Sequence, residues 1–385
     1  MLYIHIPYCR RKCLYCDFFS GGASVADWPR LVRALLAELA GRIGELPHRI
    51  ESIYLGGGTP SMMPPDDFRR LMAGVRSAIS DSGRMLAEDA EITIEVNPED
   101  VDDERMQGWE ECGVNRVSIG IQTFSDTLLR RIGRSHTGTG AAEALAGIRA
   151  RFSNVSGDLI FGLPGQDEAQ LRLDVERLLA AGTQHVSVYT LMYEEGTALT
   201  ALRDAGRLQP TDDETVAAQY SILTAMLRSA GYEHYEISNY ARPGYRSRHN
   251  SGYWSGRPYL GIGPSAHSYD GHSVRRANPA DLFGYLARFA PESGATASSP
   301  DGAFYTEERL SDEERREERV MLSLRTSEGL ALADYAADFG REALSELMRQ
   351  AAPHIAAGRL RRADDRISLT SDGILIADRV IVDLL

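Results

Sequence analysis

Leu2-Tyr3-Ile4-His5-Ile6-Pro7-Tyr8-Cys9-Arg10-Arg11-Lys12-Cys13-Leu14-Tyr15-Cys16 is the stretch on which the reading of the fold turns. It starts as an apolar strand and runs directly into a loop that holds three of the four cysteines of a 385-residue chain. Three neighbouring thiols make a poor disulfide framework for a chain of this size, and metal ligation is the natural alternative. A cubane iron–sulfur cluster has four irons, so three protein thiolates leave one iron open to a small ligand. Zinc is the competing reading. Structural zinc takes four closed ligands, however, and neither His5 nor Cys112 stands at zinc-finger spacing from the loop. Cys112, at the end of a predicted helix before Gly113, reads as a buried apolar residue.

Downstream of the loop, short β-branched runs alternate with amphipathic stretches of helix length as far as about residue 240. Strands are predicted at Leu2–Ile6, Ser52–Leu55, Ile92–Val96, Arg116–Ile121, Val155–Phe161 and His185–Thr190, with helices such as Pro29–Leu46, Asp66–Ile79 and Glu168–Ala181 between them. Repeated βα units build a parallel sheet, and six of them predict an α/β fold, a partial (β/α)6 barrel of the TIM type. Thr211-Asp212-Asp213-Glu214 reads as a capping box opening a helix to Ser229, which stops at Gly231. A Gly-, Tyr- and Pro-rich segment follows, then a Ser/Pro/Gly-rich break near Glu292–Gly302. The tail carries helical patterns around Glu313–Leu324, Ala331–Phe339 and Arg341–Ala351, a strand pair around Arg359–Leu369 and a last helix, Gly373–Leu385, together a small winged-helix-like α+β module. The expected division is 1–240 for the barrel, 241–300 for a connecting segment packed on it, and 301–385 for the C-terminal module.

Hydrophobic residues make up 43% of the chain and charged residues 25%, ordinary globular values that exclude disorder and fibrous folds. The formal charge of −13 argues against a nucleic-acid partner, which needs concentrated Lys and Arg. No apolar run reaches membrane-spanning length, and Met1–Pro7 has no secretory pattern, so the expected compartment is the cytoplasm.

The ends of the predicted strands carry the remaining chemistry. Gly56-Gly57-Gly58-Thr59-Pro60 follows the second strand, and residues without side chains let backbone groups approach a ligand closely. A plain turn is the alternative, but the run lies one βα unit after the cysteine loop. Glu95 ends the third strand, Gln122 ends the fourth, Arg134 stands in Gly133-Arg134-Ser135-His136, and Asp158 lies in Gly157-Asp158-Leu159-Ile160-Phe161. Each alone reads as a solvated loop residue; as a series they surround the barrel mouth, where such folds gather ligands.

The spacing Cys-x3-Cys-x2-Cys, with Tyr15 just before the last cysteine, resembles the signature of the radical S-adenosylmethionine (SAM) superfamily, and Gly57-Gly58-Thr59 resembles its GGE-type motif with Thr in place of Glu. The ordered set resembles the HemN/HemW family over nearly the whole chain. That resemblance implies a [4Fe-4S] cluster on Cys9, Cys13 and Cys16, with SAM chelating the open iron and cleaved by one electron to a 5′-deoxyadenosyl radical. It implies SAM contacts from Tyr3, Tyr15, Gly57, Gly58, Thr59, Glu95, Gln122, Arg134 and Asp158. In that scheme Asp158 suits a ribose hydroxyl pair and Arg134 a carboxylate.

Within the family, two departures point away from the coproporphyrinogen III dehydrogenase and toward the heme-chaperone branch. Phe18 stands where the dehydrogenase pattern has a further cysteine, and the cluster loop begins at residue 9, without the dehydrogenase's N-terminal extension. His249-Asn250-Ser251-Gly252-Tyr253-Trp254 resembles the HNxxYW motif of the chaperones. It implies heme as a third cofactor, ligated by His249 with Tyr253 and Trp254 supporting; an isolated histidine reads first as a packed, hydrogen-bonded residue, and the full motif reverses that preference. His267 is a lesser candidate neighbour of either site. The expected function is heme binding and delivery to apo-hemoproteins such as respiratory enzymes, with a reductant for the cluster and a second copy of the chain as further candidate partners. An oxygen-independent coproporphyrinogen III oxidase is the alternative, and a non-enzymatic heme storage or sensing protein the third reading. Porphyrinogen turnover is not expected.

Overall fold

In Arg116-Val117-Ser118-Ile119-Gly120-Ile121-Gln122 polar and apolar residues alternate, and a strand turns successive side chains to opposite faces. In the computed structural model, which describes residues 1–22, 27–292 and 303–385, that alternation recurs across a whole sheet. Val117, Ile119 and Ile121 belong to the main apolar core, together with Ile53 and Leu55, Ile92 and Ile94, Val155 and Leu159, and Val186 and Val188. Their neighbours on the other face are Tyr54, Glu95, Arg116, Ser118, Asp158 and His185, which meet in a polar interior.

The strands are β1 Leu2–Ile6, β2 Arg49–Gly57, β3 Met85–Val96, β4 Arg116–Gln122, β5 Val155–Phe161, β6 His185–Thr190, β7 Glu233–Glu236, β8 Asn239–Ala241 and β9 Leu260–Ile262. They lie in the order β9-β1-β2-β3-β4-β5-β6-β8-β7. All neighbours from β9 through β6 are parallel, whereas β8 is antiparallel to both β6 and β7. β9 and β7 do not pair with each other, so the barrel is partial. The six expected strands are all present and in sequence order; β2 and β3 start earlier than expected. β7, β8 and β9 are additions, each of three or four residues. Register sets the interior rows: Glu95 lies beside Ser118, Ser118 beside Ser156, Ser156 beside His185, and one step along Asp158 lies beside Ser187.

The expected helix Pro29–Leu46 is Trp28–Arg42, opened by the side chain of Asp27 and followed by a 3₁₀ turn at Ile43–Glu45. The helix Asp213–Ser229 is opened by Asp212 rather than Thr211: Asp212 accepts from the Thr215 N–H, and the Thr211 hydroxyl instead donates to the Leu163 carbonyl. Strands His267–Tyr269 and Val274–Ala277 form a hairpin, joined by Thr306–Arg309 into a separate antiparallel sheet. That sheet crosses the boundary expected at residue 300, and β8 spans the one expected at 240. Of the expected break at Glu292–Gly302, all but Glu292 lies outside the described residues.

The C-terminal module has its own core, including Leu324, Leu330, Leu347, Ile367 and Val380. Helix Asp312–Leu324 starts with a full capping box of Ser311 and Glu314. The segment Leu332–Ala356 breaks at Gly340 (φ 91°), giving two helices as expected. A three-stranded sheet runs Leu330–Ala331, Arg366–Leu369, Leu360–Ala363. The expected last helix Gly373–Leu385 is instead two short ones, Ser371–Ile374 and Ala377–Val382. Backbone bonds from Ile237 N–H to Arg325 and from Ser327 N–H to Tyr235 dock the module on the barrel. Among the described residues no helix is long and apolar enough to cross a membrane.

Candidate cofactor site

The cysteine loop is fastened from both sides. Gly21 N–H donates to the Pro7 carbonyl (2.6 Å), and Tyr8–Cys9 pair with Gly21–Gly22. At its middle, Leu14 N–H reaches the Ile132 carbonyl (3.1 Å) and Leu199 N–H the Leu14 carbonyl (2.7 Å), while Cys16 N–H closes a turn on Cys13. Cys9, Cys13 and Cys16 thereby line one cavity of about 400 Å³. Among the described residues no three His, Cys, Asp or Glu side chains converge tightly enough to hold a single metal ion. Burial raises the Cys9 thiol and pushes Cys16 up to about 11, so the free thiols hold their protons and give them up to bound iron.

Tyr15, Gly57, Gly58, Thr59, Glu95, Gln122, Arg134 and Asp158 line the same cavity. The glycines are required there: Gly57 has φ +103°, and a Cβ on Gly58, whose N–H bonds the Ile6 carbonyl (2.7 Å), would stand 2.6 Å from the Tyr8 carbonyl oxygen. Glu95 accepts from the Tyr54 hydroxyl (2.7 Å) and the Gly57 N–H (3.2 Å). Burial outweighs the Tyr54 bond and, with Asp158 nearby, raises its carboxyl to about 7. Asp158 is also raised by burial, against hydrogen bonds from Ser118 (3.0 and 3.1 Å) and Ser156 (3.0 Å). Arg134 donates through Nη2 to Asn97 Oδ1 (2.8 Å) and the Gly120 carbonyl (2.6 Å), and through Nη1 toward Cys13 Sγ (3.5 Å). Its Nε is buried without a partner among the described residues, a donor suited to a carboxylate.

Tyr3 is the exception among the expected SAM contacts, for it is not part of the cavity wall. Its hydroxyl bonds His5 Nδ1 (3.1 Å), whose Nε2 bonds the Phe19 carbonyl (3.0 Å). A backbone oxygen only accepts, so His5 carries its proton on Nε2 and Tyr3 is the donor. The sequence reading missed Asn97, which links Arg134 to Thr59 (Nδ2 to Oγ1, 3.3 Å), and Thr59 in turn donates to Cys9 Sγ (3.3 Å). It also missed Tyr54, Ser118 and the fully interior Arg116. Strand alternation was their only sequence signal.

His249 lies apart from the SAM cavity. Helix Arg248–Trp254 packs against β2, and the His249 side chain enters the barrel interior, 1% exposed. Its Nδ1 bonds Ser52 Oγ (2.8 Å), its Nε2 bonds the Tyr253 hydroxyl (2.9 Å), and its ring lies 5.0 Å from that of Tyr54. With both nitrogens engaged and no open face, the imidazole is not presented to a heme iron. It fastens the helix instead. Trp254 does reach a cavity, a cleft of about 730 Å³ between the barrel and the C-terminal module.

Three thiols in a loop after the first strand, ringed by polar strand ends at the mouth of a partial barrel, define a radical SAM protein. Residues 3–178 match the Radical SAM superfamily and residues 310–376 the HemN C-terminal domain. The chain is 36% identical to the heme chaperone HemW of Mycobacterium tuberculosis over 100% of this chain and 94% of that one. It is 33% identical to the heme chaperone HemW of Bacillus subtilis, over 98% and 97%. It belongs to the HemW family, whose radical SAM domain carries a [4Fe-4S] cluster and SAM. The fold is also that of the coproporphyrinogen III oxidase HemN of Escherichia coli, with a TM-score of 0.81 at 21% identity over 100% of this chain and 89% of the other.

Proposed function

We propose that the protein is a heme chaperone that keeps a working radical SAM site: Cys9, Cys13 and Cys16 hold the [4Fe-4S] cluster, and heme is a cargo passed to apo-hemoproteins. The observation that carries the first half is that all three thiols line one cavity with Gly57, Gly58, Thr59, Glu95, Gln122, Arg134 and Asp158. When bound, the cluster supplies the electron for reductive cleavage of SAM. The chain's own part is binding and orientation. Arg134 offers an unpaired Nε–H to a carboxylate, Asp158 offers acceptor oxygens to paired hydroxyls, and the glycine backbone lets a ligand lie close to the sheet.

The second half is supported by full-length similarity to proteins named as heme chaperones, against a 21% likeness to the oxidase. Phe18, at the position where the oxidase pattern has a cysteine, is 61% exposed at the cavity. On this reading the protein works in the cytoplasm, receives electrons from a separate reductant and delivers heme to respiratory enzymes.

Anaerobic reconstitution followed by iron and sulfide analysis tests the cluster. Cys13→Ser is expected to lose it and Cys112→Ser, whose residue lies in the apolar core, to keep it; normal cluster content in Cys13→Ser contradicts the assignment. Incubating the reconstituted protein with heme and, in parallel, with coproporphyrinogen III should give retained heme and no vinyl product. Catalytic formation of protoporphyrinogen would make the protein an oxidase.

A further inference from the structure

Heme iron takes an accessible, unprotonated imidazole, and the chain has nine histidines from which to supply it. His5, His136, His185 and His249 have ring nitrogens held in hydrogen bonds inside the fold, His234 is stacked 4.2 Å from Tyr240, His354 is buried, and His48 and His267 are exposed but stand outside the wall of the large cleft beside Trp254. His272 is exposed, and no hydrogen bond is made to its ring among the described residues. Among the described residues it is also the only histidine in the wall of the cleft of about 730 Å³ that Trp254 lines. That volume is within the range of about 300–1,000 Å³ typical of sites that enclose a ligand. The cleft lies at the opposite end of β2 from Gly57, so a molecule there does not compete with the SAM cavity.

His272 is held firmly. It sits at the tip of the hairpin His267–Tyr269/Val274–Ala277, where Asp270 Oδ1 accepts the N–H groups of His272, Ser273 and Val274 (2.8, 2.8 and 3.0 Å). The Tyr269 hydroxyl donates to the His272 carbonyl (3.0 Å), and Gly271 takes the left-handed φ of +82° that the turn needs. A tip tied this closely presents an imidazole in one place instead of many. Across the cleft, Trp254 and Phe339 supply flat apolar surface. Two guanidinium groups there are held loosely: Arg319 forms a long ion pair with Asp338 (3.7 Å), and among the described residues Arg366 donates to the backbone carbonyls of Glu328 and Gly329 alone (3.3 and 3.2 Å). Each can take a carboxylate in a forked contact.

We infer that heme docks in this cleft between barrel and C-terminal module, with His272 as its axial ligand, Trp254 against the macrocycle, and Arg319 and Arg366 on the propionates. The inference rests on the heme-chaperone reading. It accounts for a heme-linked motif whose histidine is closed: His249 anchors the helix, and the helix carries Trp254 to the cleft.

Heme titrated into the full, cluster-loaded chain should give a Soret band of an imidazole-ligated iron. His272→Ala should shift that band and weaken affinity by about tenfold or more, and free imidazole added to this variant should restore the band. SAM binding by the same variant should be unchanged, which shows that its fold is intact. A wild-type-like Soret band and affinity in His272→Ala overturns the cleft site while leaving the chaperone reading in place. A wild-type chain that retains no heme overturns both.

Discussion

Glu95 faces the SAM cavity with a carboxyl that burial, with Asp158 nearby, has raised to about 7. If its carboxylate is a SAM contact, affinity must follow its charge. Above pH 7 the group is ionised and accepts hydrogen bonds from a cation; as pH falls through 7 it takes a proton and that interaction fades. SAM affinity measured by calorimetry is therefore expected to rise from pH 6 to pH 8. Glu95→Gln should flatten the profile and weaken binding by about 1.5–3 kcal/mol, the worth of a hydrogen bond to a charged group. An affinity that keeps its pH dependence in Glu95→Gln removes Glu95 from the site. Asp158, raised by burial as well, accepts hydroxyl donors from Ser118 and Ser156 that hold its carboxyl in place.

Helix Arg248–Trp254 acts as a plug. Glu91 accepts the N–H groups of Arg248 and His249 (2.9 and 3.0 Å), and the His249 ring is bonded to Ser52 on one side and Tyr253 on the other. His249→Ala should cost about 2–4 kcal/mol in chemical denaturation, as a cavity beside unpaired hydroxyls would; a loss below the error of the measurement would mean that the helix is held by Glu91 alone. Elements of this kind show what could be read in advance. The six long parallel strands were legible because each has five or more residues in extended, β-branched runs. β7, β8 and β9 were not, since three or four residues show no period, and their place depends on partners far along the chain. Cysteine spacing and strand-end polar residues marked the thiols and part of the cavity wall around them. Tyr54, Asn97 and Arg116 stayed hidden because a polar residue on a strand looks the same in sequence whether it faces solvent or a barrel interior.

Across the whole molecule, buried groups of opposite sign set the response to acid. Burial lowers His249 to about 3 and His234 to about 4, and also lowers His5 and His185, so these stay neutral in the fold while the unfolded chain binds protons below about 6.5. Their contribution falls with pH, for His249 alone by about 2 kcal/mol at pH 5. Burial raises Glu95 and Glu236 to about 7, so between there and the unfolded value of 4.5 the fold binds more protons than the unfolded chain and gains stability as pH falls. The two trends oppose each other down to about pH 4.5, below which Glu95 and Glu236 are protonated in both states and the histidines act together with carboxyls held low in the fold, such as Glu99, lowered to about 2 against its burial by bonds from His136 and Ser135. Denaturation of the cluster-free protein at stepped pH should show stability falling from about pH 6.5, gently down to about 4.5 where two carboxyls offset part of the loss at four histidines, and more steeply below; a single slope through pH 4.5 would show that the carboxyls ionise freely in the fold. One pairing in the sheet also has a consequence in time. β1 lies between β2 and β9, with Leu2 beside Leu260. At about 5–20 residues per second a ribosome needs roughly 13–50 s to make the chain between them. For that interval β1 has one bare edge, at the side where only β9 will later pair. The loop's own fastenings, to Ile132 and Leu199, are made before that edge closes, so the thiols are held in place while β1 still waits for its last neighbour.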